Sequence, residues 1–254
     1  MGRHAVIGVS ALLFAASAAA TVACGLSMAG MAETPMPGGW RLSAAWMPMC
    51  GQSWAGAALS FVGMWAVMMV AMMLPSLAAM LWRQGVWSGR GSVAEMLPAG
   101  AGYFFVWTAL GLVIFVTGAA FAQAAMQWAA LAHAVPLTAG PIVLLAGASQ
   151  FSAWKTRQLA CIGRAAAGVG AGAGHARSAW RHGVRMGLHC CQSCAGLTAV
   201  FLVMGVMDWR AMAVVTAAIS AERLAHDGER IAKVIGIVLI GAGGLMIASI
   251  ASGR

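Results

Sequence analysis

Charged residues are scarce in this chain of 254 amino acids, and acidic residues are the scarcest. Only 8% of the residues are Asp, Glu, Lys or Arg, whereas 61% are hydrophobic. Because a soluble globular domain carries roughly 25% charged residues, the composition excludes that class. The chain is therefore predicted to be all-α, a polytopic bundle of transmembrane helices whose first partner is the lipid bilayer.

Several functional signatures are also missing. Fifteen Lys and Arg residues against six acidic ones give a net charge of +9, but no nucleic-acid motif accompanies it, so we expect no nucleic-acid partner. Lys and Arg collect in the cytoplasmic loops of membrane proteins, which explains the charge more simply. The chain lacks a zinc-protease HExxH, a P-loop and a dinucleotide fingerprint, and GQSWAG misses the GxSxG serine motif by one position. It is therefore not expected to be an enzyme.

Long uncharged runs predict about seven membrane spans, at residues 5–24, 58–82, 99–123, 127–149, 186–207, 209–224 and 232–250. The first run ends in small residues, as a cleaved signal peptide does, and its removal would leave six. The sixth run is short, since only eleven uncharged residues separate Arg210 from Glu222. It either re-enters the membrane or spans it with Glu222 and Arg223 drawn into the boundary.

The distribution of positive charge predicts the orientation. With seven spans and the N-terminus inside, twelve Lys and Arg residues lie on the inner side and three on the outer side. If the sixth segment does not cross, the division is ten and five. Both follow the positive-inside rule, and seven spans follow it better. This arrangement makes 152–185 a basic cytoplasmic loop, with the glycine-rich Gly168–Gly174 as a linker, and places the C-terminus outside.

The densest set of metal-type ligands is HCCQSC, at residues 189–194. Cys190 and Cys194 are spaced i, i+4, so they lie on one helical face and are able to place two sulfurs on one ion. Cys191 points elsewhere on the helix and is a weaker candidate. His189 either joins the ligands or sits at the level of the lipid headgroups.

Counting from a predicted turn near Asp208 brings further residues to the same depth. Cys194 lies fourteen residues before this turn and Glu222 fourteen after it, while Cys190 and His226 lie eighteen residues on either side. If the fifth and sixth helices are antiparallel, these four residues share one layer near the inner membrane face. Glu222 is then a ligand candidate, or it pairs with Arg223 or Arg185.

Methionines supply a second group of sulfurs, in WAVMMVAMMLPS on the second predicted helix. Met68 and Met72 are spaced i, i+4, as are Met69 and Met73. Met73 is predicted to reach a depth similar to that of Cys194, and Met72 and Met73 are expected to approach the cysteine sulfurs. Thiolate and thioether ligands together favour a soft ion, Cu(I) above all. The alternative is that these methionines only fill the apolar core. On the outer side, an oxidising compartment would permit a disulfide between Cys24 and Cys50.

Three blocks of the chain resemble the DUF2182 family, bacterial integral membrane proteins predicted to bind metal. The blocks are WAVMMVAMMLPS, GVRMGLHCCQSCAGLTAVFLVMGVMD and AMAVVTAAISAERLAHDGER, and the resemblance runs from about Trp40 to Gly244. The family pattern G-x-x-x-G-x-x-C-x-x-C-C matches Gly183, Gly187, Cys190 and Cys194. Ser193 stands where one of the paired cysteines usually lies, and the region after Lys155 fits the family's second cysteine pair poorly.

The resemblance implies a protein of the bacterial inner membrane with fewer thiolates than its relatives. Cys190, Cys191, Cys194 and His189 are then its better ligand candidates. The favoured hypothesis is a membrane protein that handles, delivers or transports copper, with a metal chaperone or another membrane subunit as partner. The alternatives are a structural subunit in which cysteines only pack, and a redox role for the vicinal Cys190 and Cys191.

Overall fold

The computed structural model of the protein describes residues 3–29, 34–48, 51–83, 93–167, 176–206, 208–225 and 227–252. Within these residues the chain is helical almost throughout, which confirms the all-α prediction. The helices are α1 (Arg3–Ala29), α2 (Trp54–Arg83), α3 (Val93–Gln127), α4 (Ala129–Ser149), α5 (Ala153–Ala167), α6 (Ala176–Met204), α7 (Trp209–Leu224) and α8 (Gly228–Ala251).

Five stretches of these helices are long and apolar enough to cross a membrane. They are Trp54–Leu77, Leu97–Gln127, Ala129–Ser149, Ala176–Met204 and Gly228–Ala251. In α1, the shorter run Ser10–Gly25 is also apolar. Helix α7 has 16 residues and reaches about 24 Å at 1.5 Å per residue, less than the roughly 30 Å of a bilayer core. The seven spans therefore remain a prediction.

The segment predicted as a cytoplasmic loop, 152–185, contains helix. It holds all of α5 and the first turns of α6. A search for uncharged runs does not find these helical residues, because charges interrupt them. Helix α5 carries Lys155, Arg157 and Arg164, and α6 begins with Arg177 and Arg181. The predicted linker 168–174 lies outside the described residues.

Helix α6 is the centre of the bundle. It packs most extensively against α3 and also contacts α4, α5 and α7, while α2 contacts α1, α3 and α7, and α8 packs mainly on α4. The chain turns between α6 and α7 at Asp208, as the sequence predicted. The Asp208 carboxylate accepts hydrogen bonds from the backbone nitrogens of Arg210 (2.8 Å) and Ala211 (3.4 Å), and so caps α7.

One end of the bundle is marked by a short hairpin, and we call it the hairpin end. Its strands are β1 (Thr34–Pro35) and β2 (Arg41–Leu42), which pair antiparallel. Between them, Trp40 donates its indole N–H to the carbonyl of Ala132 at 2.8 Å. This bond ties the hairpin to the start of α4, beside the end of α3.

Glycine allows α3 and α6 to approach closely. A Cβ on Gly183 would lie 1.9 Å from the carbonyl oxygen of Ala99, and one on Gly102 would lie 2.5 Å from that of Trp180. Gly183 and Gly187 form the GxxxG of α6, and small residues at this spacing let helix backbones meet. The contact fixes the position of α6, which carries the cysteines, against α3.

We expect Gly183→Ala to destabilise the protein by about 1–3 kcal/mol, because the new methyl group would meet backbone rather than a movable side chain. The free energy of unfolding in mixed micelles measures this. Gly63→Ala in α2 is the matched control, since among the described residues no atom apart from the adjoining residues and backbone of its own helix lies within 4 Å of the position that its Cβ would take. It should be neutral or stabilise by up to about 1 kcal/mol. Equal effects of the two substitutions would contradict the close approach.

Candidate metal centre

Two buried thiols meet at one guanidinium. Cys190 and Cys194 lie one turn apart on α6 and are 0% and 2% exposed. Arg223, in the last turn of α7, donates from Nη2 to Cys190 Sγ at 2.9 Å and to Cys194 Sγ at 3.0 Å. We call these three residues the thiol cluster. Both sulfurs therefore lie within hydrogen-bond distance of the same nitrogen atom.

Hydroxyl groups of α2, α3 and α6 surround the thiol cluster. The hydroxyl of Tyr103 on α3 lies 2.9 Å from Cys190 Sγ, and either atom is able to donate. Arg223 donates from Nη1 to Ser76 Oγ on α2 at 3.1 Å, and Ser193 Oγ on α6 lies 3.5 Å from Nη2. The cluster thus joins α2, α3, α6 and α7 through polar contacts inside an apolar bundle.

Glu222 does not join the thiols. Its carboxylate forms a buried ion pair with Lys155 of α5, at 2.8 and 2.9 Å, and Lys155 also donates to Gln150. The expected partners of Glu222 were the thiol layer, Arg223 or Arg185. Counting residues from the turn predicted the depth of Glu222 in the membrane but not the direction of its side chain. Successive side chains of a helix point about 100° apart around the helix axis. Arg223, one residue on, is the side chain that meets the sulfurs.

The methionines of α2 lie in the same apolar core as the cysteines. Met69, Met72 and Met73 are 1–2% exposed and belong to one buried cluster with Cys190 and Cys194. Ser76, which contacts Arg223, lies three and four residues after Met73 and Met72, so the three share one face of α2. Thioethers and thiols are thus gathered in a single region of the bundle.

The remaining candidates are more dispersed. His189 is half-buried, and its Nδ1 lies 2.7 Å from Gln158 Oε1 of α5. Cys191 is half-buried and packs against the edge of the core cluster. His226 and Cys50 lie outside the described residues, so the role of His226 and the disulfide of Cys24 with Cys50 stay predictions. Cys24 is a free cysteine on α1.

The donor set in this region is soft. In the part of the chain that the structure describes, no three His, Cys, Asp or Glu side chains form a group able to hold a metal ion. Cys190 and Cys194 supply two thiols at the thiol cluster, hydroxyls of Tyr103 and Ser76 border it, and the methionines of α2 lie in the same core. Thiol and thioether donors favour Cu(I).

Four residues at or beside the site were not predicted as its members: Arg223, Tyr103, Ser76 and Lys155. Two of them carry a signal in the composition, since Tyr103 is the single tyrosine of the chain and Lys155 is one of only two lysines. Arg223 counts among the inner-side charges of the predicted topology because it follows Glu222. Ionisable groups drawn into a membrane boundary, however, commonly face the bundle interior.

Comparison with known proteins identifies one family. A family model described as PpoB2, copper chaperone, matches residues 62–246. The matched region runs from α2 into α8 and includes every residue of the thiol cluster. No curated protein and no solved structure matches the chain.

Removing one partner of the buried ion pair should lower the stability of the protein. We expect Lys155→Met to lower the free energy of unfolding by about 3–5 kcal/mol, because it leaves the Glu222 carboxylate buried without its ion-pair partner. Unfolding in mixed micelles provides the measurement. The control is Lys233→Met, which breaks a pair with Glu229 whose side chains are 51% and 56% exposed. Its expected cost is about 0.5 kcal/mol or less. A cost for Lys155→Met as small as the control's would refute the buried pair.

Proposed function

We propose that this chain, which belongs to the PpoB2 family of copper chaperones, is a membrane protein that binds Cu(I) at the thiol cluster and delivers it to a partner. The family match and the five apolar helices support a copper-handling protein of the membrane. The resemblance to DUF2182 proteins points in the same direction. The partner would be a soluble metal chaperone or another membrane subunit.

The single observation that carries this proposal is the convergence of two buried sulfurs on one nitrogen of Arg223. Thiolates are the ligands that Cu(I) prefers. Two thiolates and one Cu(I) carry a net charge of −1, which is costly in an apolar interior unless a cation compensates it. Arg223 supplies that cation and keeps its charge at any physiological pH. Its hydrogen bonds to the sulfurs would persist or shift slightly when the ion binds between them.

The methionines of α2 offer additional ligands. Met72 and Met73 share the buried cluster with both cysteines, and a thioether binds Cu(I) without adding charge. We propose one of them as a third ligand. Glu222 is excluded from this ligand set, because Lys155 holds its carboxylate. We propose that His189, which contacts Gln158, and Cys191, which packs at the edge of the core cluster, are not ligands.

A structural role is the second candidate, and one observation favours it. Cys190 already has hydrogen-bond partners in Tyr103 and Arg223. A polar cluster satisfied in this way can fix the arrangement of four helices by itself. In that case the chain would be a structural or assembly subunit, and copper would not bind. Neither candidate requires catalysis, so we propose no enzymatic activity.

The location of the basic residues supports an orientation in the bacterial inner membrane. Helix α5 carries Lys155, Arg157 and Arg164, and α6 begins with Arg177 and Arg181. Because the start of α4 is tied to the hairpin and α5 follows the end of α4, we place these basic residues at the opposite end of the bundle. By the positive-inside rule this end faces the cytosol. We propose that the N-terminus is inside, that the C-terminus is outside, and that the thiol cluster lies beneath the cytosolic surface.

Copper content tests the binding proposal. Purified protein loaded anaerobically with Cu(I) should retain copper, and Cys190→Ser/Cys194→Ser should lower retention at the thiol cluster by about tenfold or more, because serine oxygen is a hard ligand. Competition with a Cu(I)-specific chromogenic chelator measures the affinity. Cys191→Ser is the matched control and should leave the affinity unchanged. If the double variant keeps the copper of the wild type, the proposed site is wrong, and folded protein that takes up no copper favours the structural role.

Fusions at the C-terminus test the orientation. Alkaline phosphatase is active only outside the inner membrane, so we expect high phosphatase activity from a fusion after Arg254 and low activity from one within residues 168–174. Green fluorescent protein at the same two positions should give the opposite pattern. A fluorescent C-terminal fusion would show an even number of crossings and would rule out the seven-span arrangement with the N-terminus inside.

A further inference from the structure

A second set of sulfurs lines a small cavity toward the hairpin end, away from the thiol cluster. Its volume is about 20 Å³, which is room for a single water-sized ion. The cavity lies where α1, α2 and α7 meet. Four of its nine lining residues carry sulfur: Cys24, Met64, Met68 and Met212.

The sulfur-bearing residues of this cavity come from three different helices. A metal site needs ligands that converge on one point in this way, whereas core methionines commonly follow one another along a single helix. Cys24 lies on α1, Met64 and Met68 on α2, and Met212 on α7. Thioethers and a thiol are soft ligands, and thioethers bring no charge into an apolar environment. Asp208 also lines the cavity. Its carboxylate caps α7 at the backbone nitrogens of Arg210 and Ala211, and this negative charge near the cavity attracts a cation.

The cavity is connected to the thiol cluster along α2. Met64, Met68, Met72 and Ser76 follow one another at intervals of four residues, about 6 Å of axial rise per step. Ser76 contacts Arg223, and Met64 lines the cavity, so the two places are about 18 Å apart along the helix. Met68 is 2% exposed and belongs both to the cavity wall and to the core cluster of the cysteines.

We propose that this cavity is a second Cu(I) site, with the thioethers of Met64, Met68 and Met212 and the thiol of Cys24 as its ligands. The proposal rests on the proposed function for the identity of the ion and extends it to the opposite side of the membrane. Two soft sites joined by buried thioethers suit a protein that accepts copper at one face and releases it at the other. The site needs Cys24 as a thiol, so it competes with the disulfide predicted for Cys24 and Cys50.

Copper stoichiometry tests the second site. Detergent-purified protein is reduced, loaded anaerobically with Cu(I), and separated from a weak competing chelator before copper and protein are determined. We expect about two equivalents of copper in the wild type and about one in Met64→Leu/Met212→Leu, because leucine keeps the volume and removes the ligand. Cys24→Ser should also weaken binding at this site. Ag(I), which shares the soft character of Cu(I), provides an independent probe.

Matched controls separate the loss of ligands from the loss of structure. Met126→Leu/Met204→Leu makes the same chemical change at methionines that are 43% and 58% exposed, and it should bind as much copper as the wild type. Size-exclusion chromatography of every variant checks that it remains folded and monodisperse.

The outcomes distinguish the two sites. If the cavity variant retains the copper of the wild type while Cys190→Ser/Cys194→Ser loses it, the second site is refuted and the proposed function stands. If the cavity variant loses copper and the cysteine variant does not, the cavity binds copper and the thiol cluster is refuted. Additive losses in the two variants support both sites, and a wild type that binds no copper overturns both.

Discussion

The contacts between the helices at the thiol cluster depend on the guanidinium group of Arg223. A cation among apolar helices is tolerated only when acceptors surround it. Arg223 finds them on α2 at Ser76 and on α6 at Cys190 and Cys194. Cys190 in turn contacts Tyr103 of α3. Because one side chain must satisfy all of these contacts together, it fixes the rotation of α7 and the depth of α6 relative to α2 and α3.

The two adjacent charged residues of α7 have different polar partners. Glu222 turns to Lys155 of α5 and forms a buried ion pair, whereas Arg223 turns to the thiols. This division holds the Glu222 carboxylate on Lys155, and the side chains that Arg223 gathers at the thiol cluster include the two soft sulfurs of Cys190 and Cys194. A hard divalent ion prefers oxygen ligands, and the arrangement therefore suits the proposed selectivity for Cu(I). The same pair anchors the basic helix α5 against the end of the bundle.

The prediction placed Glu222 beside the cysteines, whereas the structure places the next residue, Arg223, there together with Tyr103 and Ser76. Counting outward from Asp208 correctly located the turn and brought the end of α7 to the level of Cys190 and Cys194. This counting selected Glu222 because the depth of a residue in a helix depends only on its distance along the chain and on the rise per residue. The direction of a side chain around the helix axis depends on packing against neighbouring helices, which counting leaves undetermined. Likewise, α5 was missed because charges interrupt its apolar residues, although they lie on a helix.

Composition and spacing by themselves determined that the chain is a helical membrane-type bundle, that Cys190 and Cys194 share a helical face, and that methionines crowd one side of α2. These properties follow from the local geometry of a single helix and from the cost of placing charge in lipid. Only the tertiary structure decided that Arg223 meets the thiols, that Lys155 holds Glu222, and that Cys24 and Met212 come to the cavity of Met64 and Met68. Each of these contacts joins residues distant in the chain, and their meeting depends on how the helices rotate and pack together.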